Sequence, residues 1–423
     1  MTGIVVGDID TNDLRYTAEK ACETTEFWKE KFMGTNIDEL TPNSLLSATD
    51  KVFITPHDLY NADKLWPTYI KNLEIFHGVM RTSGTTGDPK RVPFTHDDKK
   101  RYRRQARSWA LEYLEGSIMA SFTAPLPSSS GVFAIEGFSD ANIRYHQIPI
   151  QYLRMRDALI KELRGIKATG IFGLTAAVYN LSLTLPEDIR NDIQLIIMGG
   201  ETLTKELAKV VLDNFPNAVI FDVFANTEDG LTGYRLITKK KVTPFTFSDS
   251  LIVLKQTKDE EYKEYHEIYI TKVMKEGELT GLPLFNYKIG DLAKVVDGKI
   301  VNVIREKDTI SLAGAKLHID QVMDIVHRYP SLIDFVVIYH PLSPENPKPK
   351  ATIRVGYMGE KPAGVEDEIR ELIYEANNPV RYEVEEAKSS ELRIEAAPAK
   401  EVRKNLPQKP SKTKRIFIVG KDI

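Results

Sequence analysis

Cysteine is almost absent from this chain. The single cysteine among 423 residues is Cys22, so no disulfide can form within the chain. The eight histidines are scattered, and without further cysteines they offer no cysteine-type metal site. We therefore expect a protein of a reducing compartment, the cytoplasm.

An excess of charge of one sign and long apolar runs are lacking as well. Lysine and arginine together number 57 against 60 aspartates and glutamates, for a formal net charge of -3. This balance creates no global field towards nucleic acid or an anionic membrane, so we expect small molecules as partners. The apolar run 171–179 is broken by Asn180, short of the about 20 residues that span a bilayer. The acidic N-terminus does not have the pattern of a signal peptide.

The chain does contain apolar strands that alternate with helical segments. Strands are predicted at 143–150, 170–172, 193–198 and 218–224, with helices at 153–163, 176–183 and 204–214 between them. This alternation predicts βαβ units and an α/β domain built on a mainly parallel sheet. Short β-rich runs from 251 to 303 indicate an additional antiparallel sheet.

Both ends of the chain have a different pattern. Residues 11–33 have helical periodicity, with Leu14, Ala18, Ala21, Cys22 and Trp28 on one face. Beyond Arg305, helices at 319–327 and 366–376 and strands at 333–340, 351–357 and 392–396 predict a small α+β unit. The length suits two or three domains, and we expect a boundary at 304–308.

A loop of small residues follows the strand predicted at 73–80 and precedes a helix at 97–114. It reads Arg81-Thr-Ser-Gly-Thr-Thr-Gly-Asp-Pro-Lys90. Gly84 and Gly87 allow backbone amides to approach a polyphosphate, the hydroxyl side chains add donors, and Lys90 adds a positive charge. Only two residues separate the glycines, so the spacing excludes a Walker A loop. We predict a phosphate-binding loop of another kind.

The helix after this loop is rich in basic residues: Lys99, Lys100, Arg101, Arg103, Arg104 and Arg107. Its apolar stripe consists of Tyr102, Ala106, Trp109, Ala110 and Tyr113. We expect the stripe to be buried and the basic residues to form a solvated face, rather than a nucleic-acid surface.

The loop resembles the phosphate loop of the adenylate-forming superfamily of acyl-CoA ligases, luciferases and peptide-synthetase adenylation domains. Further motifs similar to those of the superfamily follow in the expected order: Gly199-Gly-Glu201, Phe224-Ala-Asn-Thr-Glu228, Tyr287-Lys-Ile-Gly-Asp-Leu-Ala293, Ile304 to Gly314, and Ser411-Lys-Thr-Lys-Arg-Ile-Phe417. The short length, the helical start and the last motif resemble the branch of phenylacetate-CoA ligase and coenzyme F390 synthetase.

The resemblance implies a site for ATP and Mg²⁺. The implied phosphate-binding residues are Thr82, Ser83, Gly84, Thr85, Thr86, Gly87 and Lys90. Gly200 and Glu201 would lie against the adenine and the acyl group. Phe224, Ala225 and Asn226 would contact the base, with Ala225 in place of a glycine. Thr227 would meet phosphate, Glu228 would bind Mg²⁺, and Asp291 and Arg305 would bind the ribose. An ordinary helix N-cap at Thr227 and a hairpin aspartate at Asp291 remain alternatives.

The resemblance also implies two functional domains. Residues 1–304 would bind ATP and the acyl group, and residues 305–423 would form a mobile lid that turns about Lys307. Lys412 would be the catalytic lysine, with Lys414 as the alternative because Ser411 replaces a glycine of the motif. The acyl group would contact Phe133, Phe138 and Phe172, although core packing explains these side chains equally well.

The expected function is AMP-forming activation of an aryl or apolar carboxylic acid, followed by transfer of the acyl group to a thiol. The expected partners are this acid, ATP with Mg²⁺ and coenzyme A, without nucleic acid or membrane, and a homodimer is an open alternative to a monomer. Other acceptors remain open: a phenolic hydroxyl that takes AMP, or an amine or protein thiol that takes the acyl group. A non-catalytic nucleotide-binding protein is a further alternative.

Overall fold

The computed structural model describes most of the chain. The described residues are 3–48, 51–55, 57–59, 64–81, 90–123, 129–138, 143–200, 203, 205–257, 262–305, 309–312, 315–340, 348–404, 406 and 416–418. The chain divides into two compact units. The first contains Met1–Leu181, Leu185–Glu201 and Phe215–Arg305, and the second contains Ser182–Thr184, Thr202–Asn214 and Glu306–Ile423.

The α-helices of the described residues are α1 (Thr11–Thr24), α2 (Glu26–Lys31), α3 (Pro42–Ser47), α4 (His96–Leu114), α5 (Ser129–Phe138), α6 (Arg156–Ile166), α7 (Thr175–Thr184), α8 (Glu187–Asp192), α9 (Lys205–Asn214), α10 (Ile319–Val326), α11 (Val365–Ala376) and α12 (Asn378–Arg381). Within the described ranges, every helix is too short or too polar to cross a lipid bilayer.

The strands are β1 (Gly3–Val6), β2 (Phe76–Arg81), β3 (Arg91–Thr95), β4 (Ile118–Ser121), β5 (Arg144–Gln147), β6 (Gly170–Leu174), β7 (Leu195–Gly199), β8 (Val219–Asn226), β9 (Gly230–Ile237), β10 (Thr246–Phe247), β11 (Ser250–Gln256), β12 (Tyr265–Lys272), β13 (Tyr287–Val296), β14 (Lys299–Arg305), β15 (Thr309–Leu312), β16 (Ala315–His318), β17 (Leu332–His340), β18 (Lys350–Tyr357), β19 (Glu391–Pro398) and β20 (Ile416–Ile418).

A seven-stranded sheet forms the centre of the first unit, in the order β10-β9-β8-β7-β6-β4-β5. The five strands from β8 to β5 run parallel, and β9 and β10 are antiparallel at one edge. The apolar run Leu195 to Met198 is buried, as expected for a strand covered on both faces. The predicted α/β class with a mainly parallel sheet is thus confirmed.

A second sheet in this unit has five antiparallel strands in the order β1-β11-β12-β13-β14. The β-rich region from 251 to 303 supplies four of these strands. The fifth is the N-terminal strand β1, whose Val5 pairs with Val253. The predicted antiparallel sheet is present, and the chain's beginning extends it.

The predicted phosphate loop connects the two strands of a hairpin, in which Arg81 pairs with Arg91. The sequence predicted no element between the loop and the helix at 97–114, and the structure has β3 there. Helix α4 then begins without a connecting loop, because Thr95 and Asp98 form a capping box. The Thr95 hydroxyl accepts from the Asp98 amide at 3.0 Å, and the Asp98 carboxylate accepts from the Thr95 amide at 3.0 Å.

The expectation for the two faces of α4 was wrong at two positions. Tyr113, placed in the buried stripe, is 39% exposed near the end of the helix, although its ring packs against Phe221. Arg101, placed on the solvated face, is fully buried because it pairs with Asp229. Tyr102 and Ala106 of the stripe follow the prediction and are buried. The side chains of Trp109 and Ala110 lie outside the described part of the structure.

The N-terminal helices pack into the core of the first unit. Leu14, Ala18 and Ala21 of α1 are buried, and the Trp28 ring of α2 lies 5.0 Å from the ring of Phe285. The predicted helical stripe is therefore a core-facing stripe.

The second unit contains a four-stranded sheet in the order β19-β18-β17-β20, together with the hairpin of β15 and β16. Strands β17 and β18 are antiparallel, whereas β19 and β20 pair with them in parallel. Helix α11 buries Val365, Ile369 and Ile373 in the apolar core of this unit. The unit has the α+β composition that the sequence predicted.

Candidate active site

Two side chains from separate segments, Lys90 and Tyr287, meet at Glu228, which lies in the turn that follows β8. The Lys90 ammonium lies 2.9 Å from Glu228 Oε1, and the Tyr287 hydroxyl donates to the same oxygen at 2.9 Å. Lys90 also donates to the Tyr287 oxygen at 3.2 Å. The structure thus brings together the lysine of the predicted phosphate loop and the predicted metal-binding carboxylate.

The charge of Glu228 is maintained despite its burial. The side chain is only 7% exposed, and that of Lys90 is 14% exposed. Burial alone raises the pKa of the Glu228 carboxyl, but the charge of Lys90 and the hydrogen bonds from Lys90 and Tyr287 outweigh this effect. The pKa of Glu228 therefore lies below its usual value, and the carboxylate is available as an anion.

Tyr287 is held in place by the N-terminal region. The preceding residue, Asn286, donates from its side-chain amide to the carbonyl oxygens of Leu45 and Val52. The amide of Lys288 donates to the Ile54 carbonyl at 2.9 Å. These bonds anchor both neighbours of Tyr287, so its hydroxyl has a defined position.

No role of Tyr287 was predicted from the sequence, although it contacts Glu228. It stands at the start of the motif that contains Asp291. Its aromatic character fits a core position, and its pairing with Glu228 depends on contacts between distant segments. The signal that could have found it is its fixed place in that motif.

Thr227 lies in the turn between β8 and β9, which excludes the alternative of a helix N-cap. Its hydroxyl is 2.9 Å from the hydroxyl of Ser129, the first residue of α5. Asn226 shapes the same turn, because its side-chain oxygen accepts from the amide of Asp229 at 2.7 Å. The turn follows the carboxyl end of a parallel strand, where open α/β sheets bind ligands.

Gly200 occupies the corresponding position after β7. Its φ of +81° lies in the left-handed region, where glycine is favoured. A Cβ on the preceding Gly199 would lie 2.5 Å from the carbonyl oxygen of Val223. The pair of glycines is therefore required by the backbone, and its predicted contact with nucleotide stays a prediction.

Phe224 and Ala225 lie near the end of β8 and are partly buried. The ring of Phe224 lies 6.4 Å from each of the rings of Phe245 and Phe247. An aromatic surface is thus present next to the Thr227 turn, as the predicted adenine contact requires.

The predicted acyl-binding phenylalanines are buried in the first unit. Phe138 contacts Phe172 edge-to-face at a centroid distance of 5.7 Å, and Phe133 contacts Tyr102 at 4.9 Å. All three belong to one apolar cluster. Their assignment to an acyl pocket stays a prediction.

Asp291 and Arg305 occupy paired positions on adjacent strands. Asp291 lies on β13 and is buried, and its Cα partner on β14 is Arg305. Strand β13 also carries Tyr287, so it connects the predicted ribose-binding residue to the cluster around Glu228. The pairing supports a common role for Asp291 and Arg305, which remains a prediction.

Several predicted site residues lie outside the described part of the chain. These are Thr82, Ser83, Gly84, Thr85, Thr86, Gly87, Glu201, Lys307, Gly314, Lys412 and Lys414.

The residues present fit a magnesium ion that arrives with a nucleotide. Among the described side chains, no group of three or more histidines, cysteines, aspartates or glutamates could hold a metal by itself. Mg²⁺ is typically bound by one or two protein carboxylates together with substrate phosphates and water. The ionised Glu228 provides one such carboxylate, and it lies beside Lys90, the predicted phosphate-binding cation.

Comparison with known proteins gives a family match over part of the chain. Residues 72–250 match the family described as AMP-binding enzyme. Bacitracin synthase 3 of Bacillus licheniformis is 26% identical over 162 residues, which make up 37% of this chain and 2% of that protein. The chain thus spans a very small part of this relative.

Solved structures of CoA ligases share the fold. A 2-hydroxyisobutyryl-CoA ligase in complex with 2-HIB-AMP has a TM-score of 0.73 at 14% identity, covering 97% of this chain and 89% of that chain. An anthranilate CoA ligase in complex with anthranoyl-AMP has a TM-score of 0.56 at 16% identity, covering 77% and 64%. These structures show that the fold is shared, and the match of residues 72–250 to the AMP-binding enzyme family agrees with the predicted resemblance over that segment. The phenylacetate-CoA ligase branch stays a prediction.

Proposed function

We propose that this protein is an AMP-forming acid-thiol ligase, which activates a carboxylic acid with Mg·ATP and transfers the acyl group to coenzyme A. The meeting of Lys90 and Glu228 carries the proposal. It joins a phosphate-binding cation to a metal-binding carboxylate at the carboxyl end of the parallel sheet. The two CoA ligases of similar fold are in complex with acyl-adenylates, which supports the same type of intermediate here.

In the first half-reaction, a carboxylate oxygen of the acid attacks the α-phosphorus of ATP. The bond from the α-phosphorus to the bridging oxygen of the β-phosphate breaks, and pyrophosphate leaves. Lys90 and the loop before it would hold the β- and γ-phosphates, and Glu228 would coordinate Mg²⁺. The bound Mg²⁺ would neutralise charge on the leaving group. Lys412 would stabilise the negative charge that develops at the α-phosphate.

In the second half-reaction, the thiolate of coenzyme A attacks the acyl carbonyl carbon. The bond from this carbon to the phosphate oxygen breaks, and AMP leaves as a thioester forms. We propose that the C-terminal unit turns about Lys307 between the two half-reactions, so that Lys412 acts only in the first. Closure and release steps of this kind often limit turnover.

The proposed acid is aryl or apolar. The contact between Phe138 and Phe172 and the burial of Phe133 place aromatic surface in the first unit. Such rings favour an apolar or aromatic substrate through burial of surface and edge-to-face contacts.

Product analysis tests the reaction class. The enzyme is incubated with ATP, Mg²⁺, coenzyme A and one acid at a time from a panel of aryl and fatty acids, and the products are identified by mass. A thioester together with AMP and pyrophosphate is the expected result. A stable AMP adduct of a phenol, or an acyl amide formed with an added amine, would replace the thiol acceptor with one of the other acceptors. Formation of ADP would contradict the proposal.

A further inference from the structure

Arg101 is a fully buried cation that pairs with Asp229, the residue next to Glu228. The side chains of Arg101 and Asp229 are both 0% exposed, and Arg101 Nη2 lies 2.8 Å from Asp229 Oδ1. Arg101 Nη1 also donates to the backbone carbonyl of Asp229. One guanidinium therefore holds both the side chain and the main chain of Asp229.

The other carboxylate oxygen of Asp229 is held as well. Its Oδ2 accepts from the hydroxyl of Ser250 at 2.7 Å and from the hydroxyl of Thr232 at 2.9 Å. The Ser250 oxygen in turn accepts from Arg101 Nη2 at 2.8 Å. These bonds tie the turn between β8 and β9 to α4 and to the start of β11.

The turn also packs closely against α4. Gly230, directly after Asp229, has a φ of +108°, and a Cβ there would lie 2.6 Å from Cε1 of Tyr102. Gln105, one helical turn after Arg101, accepts from the amide of Leu231 at 3.2 Å. The backbone after Glu228 therefore has little freedom to move relative to the helix.

The same helix is joined rigidly to Lys90. Strand β3 begins directly after Lys90, and the capping box of Thr95 and Asp98 connects this strand to α4. Arg101 thus stands on the continuous strand and helix that begin next to Lys90. The segment from Lys90 to Arg101 therefore contacts the β8–β9 turn at two places: Lys90 contacts Glu228, and Arg101 contacts Asp229.

We propose that Arg101 is a positioning residue, which holds Asp229 and thereby fixes the neighbouring Glu228 carboxylate where it receives the Mg²⁺ of Mg·ATP. The proposal rests on the proposed function. A buried ion pair contributes little net stability compared with an apolar pair of similar volume, whereas the planar guanidinium fixes direction through several hydrogen bonds. Residues that orient a metal ligand commonly change metal affinity by about 10–100-fold when they are replaced.

The test compares Arg101→Lys, Asp229→Asn and Ser250→Ala with a matched control, Asp222→Asn. Asp222 lies on β8 and pairs with Arg235 at 2.7 Å, with side chains 7% and 9% exposed. Asp222 and Arg235 thus form a buried ion pair between β8 and β9, away from the turn that contains Glu228 and Asp229. Calorimetry measures the affinity of each protein for Mg·ATP and for ATP in the presence of EDTA, and thermal unfolding is recorded in parallel.

We expect Arg101→Lys and Asp229→Asn to reduce the ratio of the two affinities by about tenfold or more. Ser250→Ala should reduce this ratio less. Because it removes only a hydroxyl, it tests the positioning role of Arg101 even if Arg101→Lys and Asp229→Asn do not fold. Asp222→Asn should lower the unfolding temperature and keep the ratio. An unchanged ratio in all three site variants, or an equal fall in Asp222→Asn, would overturn the proposal.

The wild type separates this proposal from the proposed function. If it binds Mg·ATP more tightly than free ATP but forms no product from any acid, the ligase function fails and the positioning role is still decided by the variants. If it forms product while the variants keep the ratio, only the positioning role fails. A wild type that does not bind Mg·ATP overturns both.

Discussion

The hydroxyl of Tyr287 donates to Glu228 Oε1 at 2.9 Å, the same oxygen that the Lys90 ammonium contacts. The Tyr287 ring is buried and anchored through its neighbours, and the phenol is uncharged. Lys90 would turn towards phosphate when nucleotide binds, whereas the position of Tyr287 is fixed by the hydrogen bonds of Asn286 and Lys288 on either side of it. Tyr287 would therefore hold the carboxylate in both states.

Tyr287→Phe is expected to weaken the site and preserve the fold. The substitution keeps the buried ring and removes the hydroxyl that donates to Glu228 and accepts from Lys90. A hydrogen bond to a charged group is worth about 1.5–3 kcal/mol. We expect kcat/KM for ATP in adenylate formation to fall by about tenfold or more, since about 1.4 kcal/mol corresponds to a factor of ten.

The control for this variant is Tyr269→Phe. Tyr269 lies on β12 of the same sheet and donates to the Glu267 carboxylate at 2.8 Å. Its hydrogen bond is of the same type, but neither Tyr269 nor Glu267 is part of the proposed site. Equal losses of activity in the two variants would show that the effect of Tyr287 is only structural.

Lys90→Met is expected to lower the free energy of unfolding more at neutral than at acid pH. In the wild type, the lowered pKa of Glu228 contributes stability above the pKa of an unfolded glutamate, and this contribution is lost as the pH falls through the folded-state pKa. Without the lysine charge, burial raises the folded-state pKa, so the ionised carboxylate destabilises the variant at neutral pH. Urea unfolding at a series of pH values measures the difference.

Lys99→Met provides the comparison, because Lys99 pairs with Glu136 at 2.8 Å and both side chains are 15% exposed. Glu136 keeps a second cation, Arg103, at 3.0 Å. This variant should show a smaller dependence on pH and unchanged affinity for Mg·ATP. If the loss of stability in Lys90→Met is the same at every pH, the account of the Glu228 pKa is wrong.

Lys412→Ala is expected to slow adenylate formation by about 100-fold or more, since it removes a cation from a developing negative charge. Thioester formation from a supplied acyl-adenylate should be nearly unchanged. Lys414→Ala is the matched variant two residues away, and it should leave both steps intact. The reverse order of effects would make Lys414 the catalytic lysine, and equal losses in both half-reactions would make Lys412 structural.

Lys307→Pro is expected to affect the two half-reactions in the opposite way to Lys412→Ala. Proline restricts the backbone at the proposed pivot, so adenylate formation should be retained while the thioester step slows. Single-turnover measurements of the two half-reactions distinguish them. An unchanged second step would remove Lys307 as the hinge.

Local motifs were sufficient to select Lys90 and Glu228 as members of one site, and the structure brings the two side chains within 2.9 Å of each other. Each residue stands in a short segment whose composition suits phosphate or metal, next to an apolar strand. The α/β class followed from alternating strands and helices, because this pattern depends on neighbouring residues only.

The burial of Arg101 could not be predicted in this way. Helical periodicity places it among other basic residues, but its partners Asp229 and Ser250 lie 128 and 149 residues further along the chain. Pairing over such distances leaves no local signal. The same reason applies to Tyr287, whose hydrogen bond to Glu228 joins two segments 59 residues apart.

Short strands were the least predictable elements. Strand β3 contains Pro93, a residue that usually argues against a strand, and within the described residues it forms a two-stranded sheet with β2. Strand β1 has four residues, and its place in the five-stranded sheet depends on pairing with β11, far along the sequence. Tertiary pairing, rather than local propensity, determines both.

Acid-dependent exchange of labelled pyrophosphate into ATP tests the central claim most directly, because it reports the reversible formation of an acyl-adenylate without any acceptor. With wild-type protein, Mg²⁺ and a panel of aryl and fatty acids, the account predicts exchange that requires the acid and is strongly reduced in Lys412→Ala. Binding of Mg·ATP without exchange for any acid of the panel would contradict carboxylate activation by this protein.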